Sequence, residues 1–103
     1  HKVTVQELSK FPEVRRDLAL LVDSQTTFSL LREIAFATEK KLLKNVTLFD
    51  VYEGDKLPAG KKSYALNFVL EDTTKTLVDQ VIDKTMANLV REFERRAGAQ
   101  VRS

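Results

Sequence analysis

The 103-residue chain contains no cysteine, which excludes disulfides and thiolate metal sites and fits a reducing compartment. Its single histidine stands at position 1, so neither a histidine-based catalytic triad nor a histidine-rich metal cluster can be built. No apolar run is long enough to cross a membrane, and no signal peptide heads the chain, so a cytoplasmic protein without membrane contact is expected. The chain starts at His1, not Met, and close to a β-like run, so it reads as a piece of a longer polypeptide. Charge of one sign is also scarce. The 17 basic residues are nearly balanced by 15 acidic ones, for a net charge of +2. Binding nucleic acid by bulk electrostatics alone calls for a more basic chain, so any RNA contact must be local and geometric, or shared with other domains. A phosphate-cradling glycine loop, a metal-ligand cluster and a nucleophile–base pair are all missing.

What the chain does have is a core. Hydrophobic residues make up 43% of it, enough for one domain at this length. Residues 1–12 read as a lead-in segment from a preceding domain, with a β-like run Val3-Thr4-Val5 and an end at Pro12. Residues 13–103 read as the domain itself. Alternation predicts a first strand over 17–23. Helical spacing of Phe28, Leu31, Ala35, Thr38 and Leu42, with Ile34 beside them, predicts a helix of about four turns. A β-branched and aromatic run predicts a strand over about 45–53. The loop Gly54-Asp55-Lys56-Leu57-Pro58-Ala59-Gly60 separates it from a third strand over 62–70. A second helix is expected over about 77–97, with Thr76 and Asp79 as a capping box and Gly98 as its terminating glycine. Gln100-Val101-Arg102 would form a short last strand. This order is an α+β, ferredoxin-like βαββαβ sandwich: a four-stranded antiparallel sheet with two helices on one face.

Two helices leave the other sheet face open. Leu18, Leu20 and Val22, Phe49 and Val51, and Leu66, Phe68 and Leu70 are expected to pack on the helices. The open face then carries Asp17, Ala19 and Leu21; Leu48, Asp50 and Tyr52; Ser63, Ala65 and Asn67; and, from the last strand, Gln100 and Arg102. Small residues, one aromatic ring and scattered polar groups suit an unstacked base. The same pattern is equally compatible with a plain solvated sheet face.

Several segments carry a resemblance: Phe11-Pro12, Arg15-Arg16-Asp17-Leu18-Ala19, Leu48-Phe49-Asp50-Val51-Tyr52, Gly54 to Gly60, Lys61-Lys62-Ser63, Thr76-Leu77, and Gly98 to Arg102. In this order and spacing, from about Ser9 to Arg102, the chain closely resembles the C-terminal ferredoxin-fold anticodon-binding domain of bacterial phenylalanyl-tRNA synthetase β subunits. The resemblance implies a non-catalytic domain that recognises the tRNA-Phe anticodon on its open sheet face. Ala19, Asp50, Tyr52, Ser63 and Arg102 are implied as the contacting set. Tyr52 would stack on a base and Asp50 would accept from a guanine edge. Ser63 would meet a base or ribose, Ala19 would serve by being small, and Arg102 would pair with phosphate or a base carbonyl. Lys61 and Lys62 would hold backbone phosphate, although a solvated loop explains them as well. The resemblance implies the rest of the β subunit and a catalytic α subunit as partners. It implies ATP and Mg²⁺ as cofactors of the parent enzyme, and none for this domain. Val78 stands where the family has threonine, and Ala99-Gln100-Val101 lacks an aromatic lead; both depart from the pattern. Whether Arg15, Arg16 and Asp17 are structural or touch RNA stays open, with Asp17 expected to cap or to pair with Arg16.

Three other readings share the topology. A general single-stranded RNA binder would need exposed aromatics on the third strand, but Tyr64 and Phe68 fall on the expected core face. A small-molecule regulatory domain would pair edge strands in a dimer. An acylphosphatase-like enzyme would need a phosphate loop that the chain lacks.

Overall fold

The computed structural model describes residues 11–54 and 56–102; the Val3-Thr4-Val5 run lies outside them. The elements are β1 (Val14–Asp23), α1 (Phe28–Thr38), β2 (Leu43–Tyr52), β3 (Lys61–Leu70), α2 (Asp79–Ala97) and β4 (Gln100–Val101). The strands form one sheet in the order β2-β3-β1-β4, with every neighbouring pair antiparallel. This is the expected ferredoxin-like arrangement.

The core lies between the sheet and both helices. Leu20 and Val22 from β1, Val46 from β2, and Leu66, Phe68 and Leu70 from β3 meet Leu31, Ile34 and Ala35 of α1 and Ile82, Leu89 and Phe93 of α2. Phe68 and Phe93 pack as a tilted pair with ring centroids 6.0 Å apart. Such a pair contributes about 0.5–1.5 kcal/mol beyond its buried area.

α1 is shorter than its apolar spacing suggests. Thr27 caps its start by accepting from the Leu30 N–H at 3.2 Å. The helix stops at Thr38, and Glu39 is already extended (φ −127°, ψ 98°). The Glu39 carboxylate then accepts from the N–H groups of Lys41 and Leu42 at 3.2 and 2.9 Å. That side-chain turn competes with another helical turn and delivers Leu42 to the core from outside the helix.

α2 starts later than expected, with Val78 at the cap position and no side-chain capping bond. The Thr76–Asp79 capping box therefore does not form, and Val78 is 56% exposed. The other end follows expectation. Gly98 adopts the left-handed conformation (φ 63°), its N–H donates to the Glu94 carbonyl, and the Ala99 N–H donates to the Phe93 carbonyl. The Gly98 to Glu94 bond is that of the left-handed termination that favours glycine, and it turns the chain directly into β4.

β2 breaks the simple alternation. Leu48 pairs with Leu66, but the next partner along β3, Ala65, faces Asp50; Phe49 is an extra residue without a partner. A second shift lies between Leu43 and Asn45. These bulges make Leu43, Val46, Leu48 and Val51 the helix-side set. Leu48 thus packs against the core instead of facing outward. Phe49, expected inside, is 59% exposed. A bulge resets which face each later residue takes, and that is why Asp50 and Tyr52 still reach the open face.

Candidate nucleic-acid interface

The register lays out the open face row by row. In one row Asp50 of β2 sits opposite Ala65 of β3, which sits opposite Ala19 of β1. Just after β4, the Arg102 N–H donates to the Ala19 carbonyl at 2.7 Å, which puts Arg102 at the far end of the same row. The next row runs Tyr52, Ser63, Leu21 and Gln100. The result is a floor of two alanines with a carboxylate at the β2 edge and, rooted at the β4 end, an arginine whose side chain reaches back toward β3. A flat ring can approach the floor closely where only the two methyl groups stand on it.

The side chains over the floor are held in different ways. Arg102 Nη1 donates to Ser63 Oγ at 3.2 Å, and Ser63 is buried although it belongs to the open face. Tyr52 is 40% exposed, and its ring lies over Gly54. A Cβ at position 54 would come within 2.8 Å of the Tyr52 hydroxyl oxygen. The absent side chain of Gly54 therefore gives the Tyr52 ring its place. Asp50 is exposed at the sheet edge.

The two lysines separate. Lys61 shares the open face and its Nζ pairs with Asp23 at 2.7 Å. Lys62 alternates onto the helix side, where its Nζ sits 4.7 Å from the Tyr64 ring centre. Exposed pairs of this kind are worth about 1 kcal/mol or less, so Lys61 can exchange Asp23 for another anion at little cost. Tyr64 and Phe68 are buried on the core face and present no stacking surface on β3.

Asp17 accepts a hydrogen bond from Asn67 Nδ2 at 2.7 Å, in the row beyond Asp50. Arg15 pairs with Glu13, and Arg16 donates to the Arg15 carbonyl. Asp17 is therefore tied across the sheet to Asn67, not to Arg16. An open depression of about 310 Å³ lies here, lined by Asp17, Thr47, Phe49 and Asn67. Period-two reading missed Thr47 and Phe49 on this face. The available signal was that Val46 with Leu48, and Asp50 with Tyr52, cannot take opposite faces of one strand without an extra residue between them.

Among the described residues no group of three His, Cys, Asp or Glu residues is placed to hold a metal ion, and no helix is long and apolar enough to cross a membrane.

Comparison with known proteins gives the family. The family model "ferredoxin-fold anticodon binding domain" matches residues 9–102. The chain is 56% identical over 101 residues to the phenylalanine–tRNA ligase beta subunit of Bacteroides fragilis, covering 98% of this chain and 12% of that protein. It is 54% identical to the corresponding subunit of Bacteroides thetaiotaomicron over the same shares. Against that of Porphyromonas gingivalis it is 50% identical over 102 residues, covering 99% of this chain and 12% of the relative. The chain thus spans about one eighth of the length of these relatives. The family match runs through every described element, so the chain belongs to the ferredoxin-fold anticodon-binding domain family.

Proposed function

We propose that this domain binds the anticodon of tRNA-Phe on its open sheet face, as the non-catalytic recognition module of a phenylalanine–tRNA ligase β subunit. The observation that carries the reading is the row Asp50–Ala65–Ala19–Arg102. It supplies an acceptor, a thin floor and, through the Arg102 side chain that reaches back to Ser63, a cation beside one unstacked base. Asp50 suits a guanine edge, whose N1–H and N2–H donors match the two acceptor oxygens of a carboxylate. Tyr52 supplies a stacking ring worth about 1–3 kcal/mol per base. Ala19 keeps the floor low, and Arg102, anchored on Ser63, addresses phosphate or a base carbonyl. Ser63 reaches RNA only where Arg102 releases it. Lys61 is placed to take a backbone phosphate, whereas Lys62 lies on the opposite side of the sheet.

In this reading the remainder of the β subunit and a catalytic α subunit are the protein partners, in the cytoplasm. ATP and Mg²⁺ activate phenylalanine in the α subunit, while residues of this domain bind and orient RNA. The relatives' names and the family match support this assignment.

The test is equilibrium binding of tRNA-Phe transcripts with single anticodon substitutions to the complete ligase at fixed salt, because salt alone moves such affinities by orders of magnitude. Wild-type enzyme should discriminate against the substitutions, and the Asp50→Ala and Tyr52→Ala enzymes should lose that discrimination. Indifference of the wild-type enzyme to anticodon identity would remove the reading.

A further inference from the structure

The bulge that turns Phe49 outward creates a feature that the alanine-floored row does not use. Phe49 is the most exposed large hydrophobic side chain among the described residues, at 59%. It lines the 310 Å³ depression together with Asp17, Thr47 and Asn67. The positions of Thr47 and Asn67 pair across β2 and β3, and those of Asn67 and Asp17 pair across β3 and β1. This row lies two residues along β3 from Ala65, a step of about 6.8 Å on strand geometry. Such a step matches the spacing of neighbouring nucleotides whose bases are splayed apart.

The polar lining is richer in acceptors than in donors. One Nδ2 N–H of Asn67 donates to Asp17 Oδ1 at 2.7 Å, which fixes the amide orientation and leaves Asn67 Oδ1 as an acceptor beside the second N–H. Asp17 Oδ2 is a second acceptor, with no hydrogen-bond partner among the described residues. Two acceptors beside an exposed aromatic face select a planar ring that carries an amino group. Adenine, cytosine and guanine have one; uracil offers carbonyl oxygens instead.

We propose that Phe49, Asp17 and Asn67 form a second base-binding subsite, which stacks a neighbouring nucleotide of the same RNA loop on Phe49 and selects an amino-bearing base. This rests on the anticodon-binding reading above. Phe49 acts by stacking, and Asp17 and Asn67 act by accepting from the amino edge. Thr47 closes the side of the depression.

The experiment uses the complete ligase and tRNA-Phe transcripts in which each anticodon-loop base is removed or replaced in turn, at one salt concentration. Phe49→Ala should weaken binding of the native transcript about fivefold or more, in line with loss of one stacking contact, and Phe49→Tyr should restore it. The Phe49→Ala enzyme should become indifferent to removal of one particular loop base, distinct from the base that Asp50→Ala makes irrelevant. Asp17→Asn replaces an acceptor with a donor, so at that loop position the preference should turn from amino-bearing bases to uracil. Native-transcript binding by Phe49→Ala within twofold of wild type, with Asp50→Ala still impaired, would overturn the subsite and spare the anticodon reading. Equal weakening by Phe49→Ala at every loop position would also overturn it, since that marks a supporting role for the ring. If neither Asp50→Ala nor Phe49→Ala changes binding, the anticodon reading fails and the subsite with it.

Discussion

Arg102 reaches back over β1 to hydrogen-bond Ser63 on β3, with Nη1 and Oγ 3.2 Å apart. Thirty-nine residues separate the two in sequence. The contact exists because the Arg102 N–H is anchored to the Ala19 carbonyl, which lets the side chain lie along the row of small residues. The bond pre-organises a cation over the alanine floor, and pre-organisation lowers the ordering cost of binding.

Removing that cation should weaken RNA binding with little effect on folding. Arg102→Ala is expected to reduce affinity of the complete ligase for tRNA-Phe, and to lower the slope of log affinity against log salt by about one if Arg102 meets a phosphate. Ser63→Ala leaves the charge and removes its anchor, so it should cost less affinity and keep the slope. Titrations at three or more salt concentrations separate the two effects. An unchanged affinity in Arg102→Ala would show that the guanidinium does not touch RNA.

Most of the fold was legible because its signals are local. Alternation in β1 and β3 is regular, and it puts Leu20, Val22, Leu66 and Phe68 inside, where they lie. Gly98 announced the end of α2 because few other residues adopt a left-handed φ without cost. The departures in β2 and α1 share one cause: a single-residue event that periodicity does not register. Phe49 interrupts β2, and the Glu39 carboxylate ends α1 where the apolar spacing carries on to Leu42. Among the site residues, Ala19, Asp50, Tyr52, Ser63 and Arg102 do share one face. The burial of Ser63 beneath Arg102 was not legible, because it depends on a pairing between distant strands.

Gly54 is expected to act through Tyr52. Alanine at this position would put its Cβ 2.8 Å from the Tyr52 hydroxyl oxygen and 3.1 Å from the adjoining ring carbon. The obstacle is the end of a mobile side chain, so the ring swings aside and the fold survives. Gly54→Ala should therefore change thermal stability by no more than about 0.5 kcal/mol, the usual range for surface substitutions. It should nevertheless weaken tRNA binding toward the level of Tyr52→Ala. A binding curve matching wild type would mean that the ring position seen here is not needed for recognition.

Asp72 supplies a pH dependence. It is buried in the connection between β3 and α2. Its carboxylate accepts from the Thr74 hydroxyl at 2.7 Å and the Thr74 N–H at 2.8 Å. The Thr74 hydroxyl bond, then the N–H bond, hold its pKa below the ordinary aspartate value, with Lys41 and Lys75 adding to the effect against the opposing influence of burial. A carboxyl with a lowered folded pKa stabilises the fold above its unfolded pKa, near 3.9, and that contribution fades as pH falls through the folded value. The stability difference between wild type and Asp72→Asn should shrink as pH is lowered from about 5 toward the acid limit. Urea unfolding at a series of pH values measures it. A difference that stays constant across that range would show that the Asp72 charge contributes nothing.

The bulge makes a stronger claim than any substitution. If Phe49 is the extra residue, deleting it joins Leu48, opposite Leu66, directly to Asp50, opposite Ala65. Regular alternation is then restored, with Leu48 and Val51 still inward and Asp50 and Tyr52 still outward. The deletion should fold with a cooperative melt, because no core residue changes face. Deleting Ala65 from the central strand β3 is the contrasting case. It shifts one side of the strand by one residue, and a one-residue slip turns every side chain beyond it to the wrong face. Leu66, Phe68 and Leu70 are all fully buried, and expelling even one such side chain costs roughly 2–5 kcal/mol. That variant should not fold. Circular dichroism melts of the two deletions decide the matter: a collapse of both would mean that Phe49 is built into the ladder and not an insertion in it.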